Sequence, residues 1–136
     1  MASIRKDILI EARPDHVWAA VRDYGQVHTR LVPGYVTDTR LEGDLRIVTF
    51  ASGMVLRELI VDVDDQACRL VWAAIEGRAT HHNGSLQVFA EGERACRLVW
   101  ITDILPHDLA PPIGAIMAEG MAIMKRTLEK SGRQAA

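Results

Sequence analysis

No surplus of positive charge exists in these 136 residues: 16 Lys and Arg stand against 18 Asp and Glu, for a formal net charge of −2. A basic stripe that could track a phosphate backbone is missing, which excludes nucleic acid as a partner. Long apolar runs are missing as well. The opening MASIRKDILIEAR has one short run broken by Glu11, too short for a secretory h-region and far from the ~20 residues of a membrane span. The expectation is a cytoplasmic protein with no membrane span. Metal-ligand spacings such as His-x-x-x-His and Cys-x-x-Cys are absent, so no metal site and no cofactor are expected. A Gly-rich phosphate loop and a nucleophile elbow are also absent.

Cysteine is scarce. The two residues, Cys68 and Cys96, sit in identical hexapeptides, ACRLVW at 67–72 and 95–100. Six residues recurring once do not make a repeat, and two strands of similar burial account for them. With one strand between them they lie about 9–10 Å apart, beyond the roughly 7 Å reach of a disulfide. Two reduced, buried, structural thiols are expected.

What is present is ordinary in amount and ordered in pattern. Hydrophobic residues make up 49% and charged residues 25%, and the length suits one domain spanning 1–136. The segment 112–130 is the one stretch able to cover a sheet. Leu109, Ile113, Ile116, Met117, Gly120, Met121, Met124 and Leu128 recur at helical spacing, with Glu119, Lys125, Arg126, Glu129 and Lys130 on the other side. Pro111 and Pro112 suit its start and Ser131-Gly132 its end, leaving 132–136 as a disordered tail. Met117, Met121 and Met124 share the buried face, and methionine adapts either to core gaps or to a ligand.

Upstream, residues 3–10 read as a strand and PDHVWAAVRDYG as a short helix ended by Gly25; VHTRLVPG forms an irregular turn or a scrap of helix. From Tyr35 the period becomes alternating. Turns at Glu42-Gly43-Asp44, Ser52-Gly53, Asp64-Asp65-Gln66 and Gly92-Glu93 divide six antiparallel strands in meander, and Pro106 stops the last. A meander of this length must curl around the C-terminal helix, and such a sheet encloses space.

This order resembles the helix-grip fold of the START-like, or SRPBCC, superfamily, and within it the polyketide cyclase/dehydrase and lipid-transport branch. Birch-pollen-type allergens and plant abscisic-acid receptors are relatives. The carriers are PDHVWAAVRDYG, Pro33-Gly34, RELIVDVDDQACRLVWAAIEG and LVWITDILP. The resemblance implies an α+β fold: a curved antiparallel seven-stranded sheet wrapped around a long C-terminal helix, with one or two short helices after strand 1. Two aromatic positions of the pattern are unfilled, near residues 29–31 and at Gly84, which opens or reshapes the implied cavity.

The resemblance also implies a site. Alternation places Leu56, Glu58 and Ile60 on one face and Arg57, Leu59 and Val61 on the other, so both faces hold a charge. In the family a Glu at the place of Glu58 commonly faces the pocket; the competing reading pairs Glu58 with Arg46 or Arg69 on the outer face. His81 and His82 point to opposite faces if they lie on a strand, which turns His82 inward with Gly84, Leu86 and Val88. EGRATHHNG reads equally as a loop with both imidazoles in water. His28 falls where the family often lines its pocket, while His16 and His107 read as surface residues. Trp72 shares an inward face with Cys68 and Leu70. For Trp100, counting from Arg97 and counting from Pro106 give opposite faces, the second turning Asp103 inward; a bulge near Ala95 accommodates both.

The candidate ligand-binding residues are therefore Tyr35, Phe50, Glu58, Trp72, His82, Asp103, Met117, Met121 and Met124, with Glu58 and His82 as catalytic candidates. The implied function is binding of a hydrophobic small molecule (lipid, polyketide or isoprenoid-like). The alternative is a cyclase/dehydratase-type enzyme using a pocket carboxylate or imidazole as general acid or base. Leu31, Val32 and Tyr35 read as a small exposed apolar patch suited to a weak homodimer.

Overall fold

A computed structural model describes residues 3–135. Its sheet begins with β1 (Ser3–Ile10), after which the chain makes two short helices, α1 (Pro14–Arg22) and α2 (Val27–Arg30). Pro14 opens α1, where its missing N–H would have no partner in any case. Six strands follow: β2 (Val36–Glu42), β3 (Leu45–Phe50), β4 (Val55–Asp64), β5 (Arg69–Ala74), β6 (His81–Ala90) and β7 (Cys96–Leu105). A 3-10 turn, His107–Leu109, leads into the long helix α3 (Ala110–Ala135). The order across the sheet is β1-β7-β6-β5-β4-β3-β2, antiparallel throughout.

One face of this curved sheet carries α3. Register shifts between Ile60 and Asp62 in β4, and between Val36 and Asp38 in β2, add local twist where the sheet must bend. At the first of these Val61 is left outside, 61% exposed. The core gathers at one end of the covered face, where Ile10, Val17, Val21, Leu98 and Leu128 are fully buried between β1, β6, β7, α1 and α3. Burying each such side chain is worth about 1.5–3 kcal/mol.

Helix α3 does not stop at Ser131-Gly132, and no tail begins at 132. Gly132 is consumed in packing: a Cβ there would stand 3.1 Å from the Ala12 Cβ, so the missing side chain lets α3 run close past the start of α1. His16 is half-buried at the same crossing, with Nε2 2.8 Å from the Ser131 hydroxyl. Helix α1 is clamped at its other end by the β4–β5 turn. Trp18 Nε1–H and Arg22 Nε–H both donate to Asp65 Oδ1, at 2.9 and 2.8 Å.

Two surface readings are corrected here. Leu31 and Val32 are 2% and 3% exposed, part of the buried core rather than a patch, which removes the basis for a homodimer at that place. Cys68 lies in the turn before β5 at φ 53, half-buried, not on the strand. Both thiols are free; burial pushes Cys96 up to about 11 and Cys68 upward as well. No helix among the described residues is long and apolar enough to cross a membrane.

Candidate functional site

Alternation along five strands delivers a set of side chains to the space under α3. Arg46, Val48 and Phe50 come from β3, Leu56 and Glu58 from β4, Leu70 and Trp72 from β5, His82 and Leu86 from β6, and Trp100 and Thr102 from β7. Ile113, Ile116, Met117, Gly120 and Met124 of α3 close the opposite side, and Val27, Leu31, Val32 and Tyr35 close one end. The space enclosed is about 110 Å³. Its depth is walled by buried Leu70, Leu86, Thr102, Met117 and Met124, and its mouth is marked by half-buried Tyr35, Phe50, Ile113 and Ile116 beside Met54, which is 40% exposed.

One ion pair lies in this wall. Arg46 and Glu58 are direct cross-strand partners on β3 and β4, and their side chains are 6% and 9% exposed. Arg46 Nε donates to Glu58 Oε1 at 2.9 Å, and Nη2 stands 2.9 Å from the same oxygen as an ion-pair contact. Its third nitrogen, Nη1, donates to the Tyr24 carbonyl at 3.3 Å, and the guanidinium carbon stands 5.3 Å from the centre of the Trp72 ring. A buried guanidinium is tolerable only with partners of this kind on every side. Glu58 Oε2 receives no hydrogen bond from any side chain or backbone group among the described residues. Glu58 thus faces inward and pairs with Arg46 there, so the competing reading had the partner right and the face wrong.

Trp72 is held flat by an absence. A Cβ on Gly84, its cross-strand partner on β6, would stand 2.7 Å from the indole Cε2 and Cζ2. The space left by the unfilled aromatic position at Gly84 is therefore occupied by Trp72 and does not open the cavity. Trp100 stands beside it, ring centres 6.3 Å apart and planes at 59°, and packs on Gly120, whose Cβ would meet Cζ3 at 3.1 Å. The Trp100 Nε1–H is buried and has no partner. Such a donor costs about 1–3 kcal/mol.

His82 lies on β6 and lines the cavity, while His81 on the outer face bonds to Asn83. The β5–β6 ladder ends at Ala73 and Asn83, one step short of His82, while Ala74 pairs with Glu58 on β4. Glu58 and His82 consequently come from opposite flanks of the end of β5. Burial, with the imidazole of His81 adding to it, holds the His82 pKa below the usual value of about 6.5. A depressed histidine favours the native state while neutral, and as pH falls the unfolded chain takes the proton first. Wild type should lose stability below about pH 6.5, and His82→Gln should lose less over that window, as read by urea denaturation at pH 7 and pH 5.

Other candidates are placed differently. Asp103 faces outward, where it accepts from Ser3 Oγ at 2.6 Å and Asn83 Nδ2 at 3.2 Å; β7 pairs with β1 and β6 without a shift, so no bulge turns it in. The register counted from Arg97 holds, and it brings in Trp100 and Thr102. Met121 is buried in the core but is not part of the cavity wall, whereas Met117 and Met124 are. His28 bonds to Thr39 through Nδ1 at 3.0 Å and does not reach the cavity. Tyr35 stands at the mouth near Glu119, and its phenol is pushed up by burial and by that carboxylate. No group of three or more possible metal ligands exists among the described residues.

The sequence model of the family described as "Polyketide cyclase / dehydrase and lipid transport" matches residues 1–134. No curated protein matches the sequence significantly. Among solved structures, a protein from Thermobifida fusca is 26% identical with a TM-score of 0.80, over 96% of this chain and 95% of that one. Norcoclaurine synthase from Thalictrum flavum, solved with dopamine and hydroxybenzaldehyde, is 18% identical with a TM-score of 0.76, over 98% and 87%. A START superfamily protein from Mycobacterium smegmatis is 12% identical with a TM-score of 0.75, over 98% and 99%. At such identities the latter two speak to the fold alone.

Proposed function

Since the chain belongs to the polyketide cyclase/dehydrase and lipid transport family, we propose that it binds a hydrophobic small molecule in the cavity between the sheet and α3. The fold is the START-like helix grip, which positions such a cavity. The observation that carries the reading is the composition of the wall. Aliphatic, methionine and tryptophan side chains surround a few polar groups, the combination that orients an apolar ligand. Lipid, polyketide and isoprenoid-like molecules all meet that description. Tyr35, Phe50, Glu58, Trp72, His82, Met117 and Met124 are the contacts we assign. The two free thiols support a reducing compartment, the cytoplasm.

A cyclase or dehydratase would use Glu58 or His82 to move a proton next to a carbonyl, and their placement on opposite flanks of the end of β5 is the one feature favouring it. Glu58 is engaged by Arg46, so it serves better as a fixed acceptor than as a base. Native mass spectrometry of the purified protein, before and after denaturing extraction, tests the binding reading. A retained hydrophobic species of defined mass, or stoichiometric uptake of an environment-sensitive apolar dye, is expected. A protein that is empty and also refuses the dye overturns it.

A further inference from the structure

The polar part of the cavity wall narrows what the cavity can hold, granted the binding reading above on which this rests. Size is the first restriction. A space of about 110 Å³ is on the order of the roughly 150 Å³ apolar cavities that take one benzene ring. Charge is the second. Arg46 is the lone Lys or Arg in the wall and Glu58 already matches it, so the wall is neutral as it stands. An entering carboxylate would leave one uncompensated negative charge out of water, which is strongly unfavourable. His82 gives little relief, because burial disfavours its charged form.

The third restriction is directional. The Nε hydrogen bond and the Nη2 contact of Arg46 both meet Glu58 Oε1, and Oε2 takes no hydrogen bond from the protein among the described residues. The open oxygen of an ion-paired carboxylate is a strong acceptor, and a neutral O–H is the partner that satisfies it without adding charge.

We propose that the cavity selects an uncharged, single-ring molecule whose hydroxyl donates to Glu58 Oε2, its ring lying among Trp72, Leu70, Leu86 and Met117. Phenols and cyclic alcohols belong to this class. Fatty acids and other carboxylates do not, and a molecule lacking the hydroxyl binds in the same space more weakly.

The test compares three probes of nearly equal shape, 4-methylphenol, toluene and 4-methylbenzoate, by calorimetry near neutral pH, where the phenol is uncharged. Wild type should bind 4-methylphenol about tenfold tighter than toluene, the worth of one hydrogen bond to a charged acceptor. Binding of 4-methylbenzoate should be undetectable. In the double variant R46M/E58M the advantage of 4-methylphenol over toluene should vanish. If that variant fails to fold, E58Q replaces it, since its amide puts an NH2 where Oε2 was and should cut the advantage several-fold. Equal binding of 4-methylphenol and toluene, binding of 4-methylbenzoate as tight as the phenol, or a phenol preference that survives loss of Glu58 overturns the proposal while leaving the cavity a binding site. Failure of all three probes together with the apolar dye overturns the binding reading itself.

Discussion

Arg46→Met should lower stability by about 3–5 kcal/mol, the range found when one partner of a buried ion pair is removed and the other left behind. The expectation rests on how completely the pair is shut in. Both side chains are at least nine-tenths buried, and Oε1 of Glu58 meets two nitrogens of one guanidinium, each at 2.9 Å. Take Arg46 away and Glu58 is left buried with no cation in the wall to answer it; Tyr24 loses a donor and Trp72 loses the group over its ring. Met fills much of the same volume, so little of the loss is cavity formation. Adding Glu58→Met to that variant should restore most of the stability, because two apolar side chains of similar size replace the pair and nothing is orphaned. Urea denaturation of the four proteins measures the coupling directly. A loss below about 1 kcal/mol for Arg46→Met would mean the pair behaves as a solvated surface bridge, and the picture of a dry polar wall would be wrong.

Gly84→Ala should have the second largest effect, and for a different reason. No strain of the backbone is involved. The new methyl would lie 2.7 Å from two carbons of the Trp72 indole, a rigid ring that cannot bend away. The ring's route of escape is toward the cavity, because Arg46 stands over it. Overpacking of this sort costs about 1–3 kcal/mol. The ring would also occupy space of the order of the cavity itself, so uptake of 4-methylphenol and of the apolar dye should fall to background in a protein that remains folded. Gly120→Ala is the matched comparison. Its methyl meets Trp100 at 3.1 Å, a gap that tenths of an ångström relieve, and helix propensity returns up to about 1 kcal/mol. Uptake that persists in Gly84→Ala would show that the Trp72 ring moves elsewhere and does not bound the site.

Much of this architecture was open to reading from periodicity alone. Seven strands, the short helices after β1 and the long helix all follow from where alternation begins, where Gly and Asp interrupt it, and where spacing becomes helical. The site was less legible, and each gap has a physical cause. Both faces of β4 carry a charge, so alternation could not orient Glu58. Pairing could have done so: Arg46 and Glu58 lie equally far from Ser52, and a hairpin centred there makes them direct partners on one face. Asp103 was turned inward by the family pattern against the count from Arg97, and the unbroken ladder on both sides of β7 decides for the count. Gly132 looked like a stop because glycine ends many helices, yet here its missing side chain serves a crossing with α1 that only three dimensions reveal. Gly84 is the same lesson on a strand. Leu31 and Val32 read as exposed, yet they belong to one buried core with residues far along the chain, Leu98 and Leu128 among them.

The attachments of α3 are unevenly spread. Lys125 donates to the Leu9 carbonyl at 2.8 Å, Glu129 accepts from the Glu11 N–H at 2.8 Å, Ser131 meets His16, and Gly132 rests on Ala12. All four lie in the second half of the helix. The portion over the cavity mouth holds by apolar contact through Ile113, Ile116 and Met117, together with the approach of Glu119 to Tyr35. Mechanically this is a beam clamped at one end. Its other end, joined to β7 through the 3-10 turn, lies over the entrance outside the clamp, so a shift there breaks none of the clamp's hydrogen bonds and need not disturb the core that keeps the molecule folded.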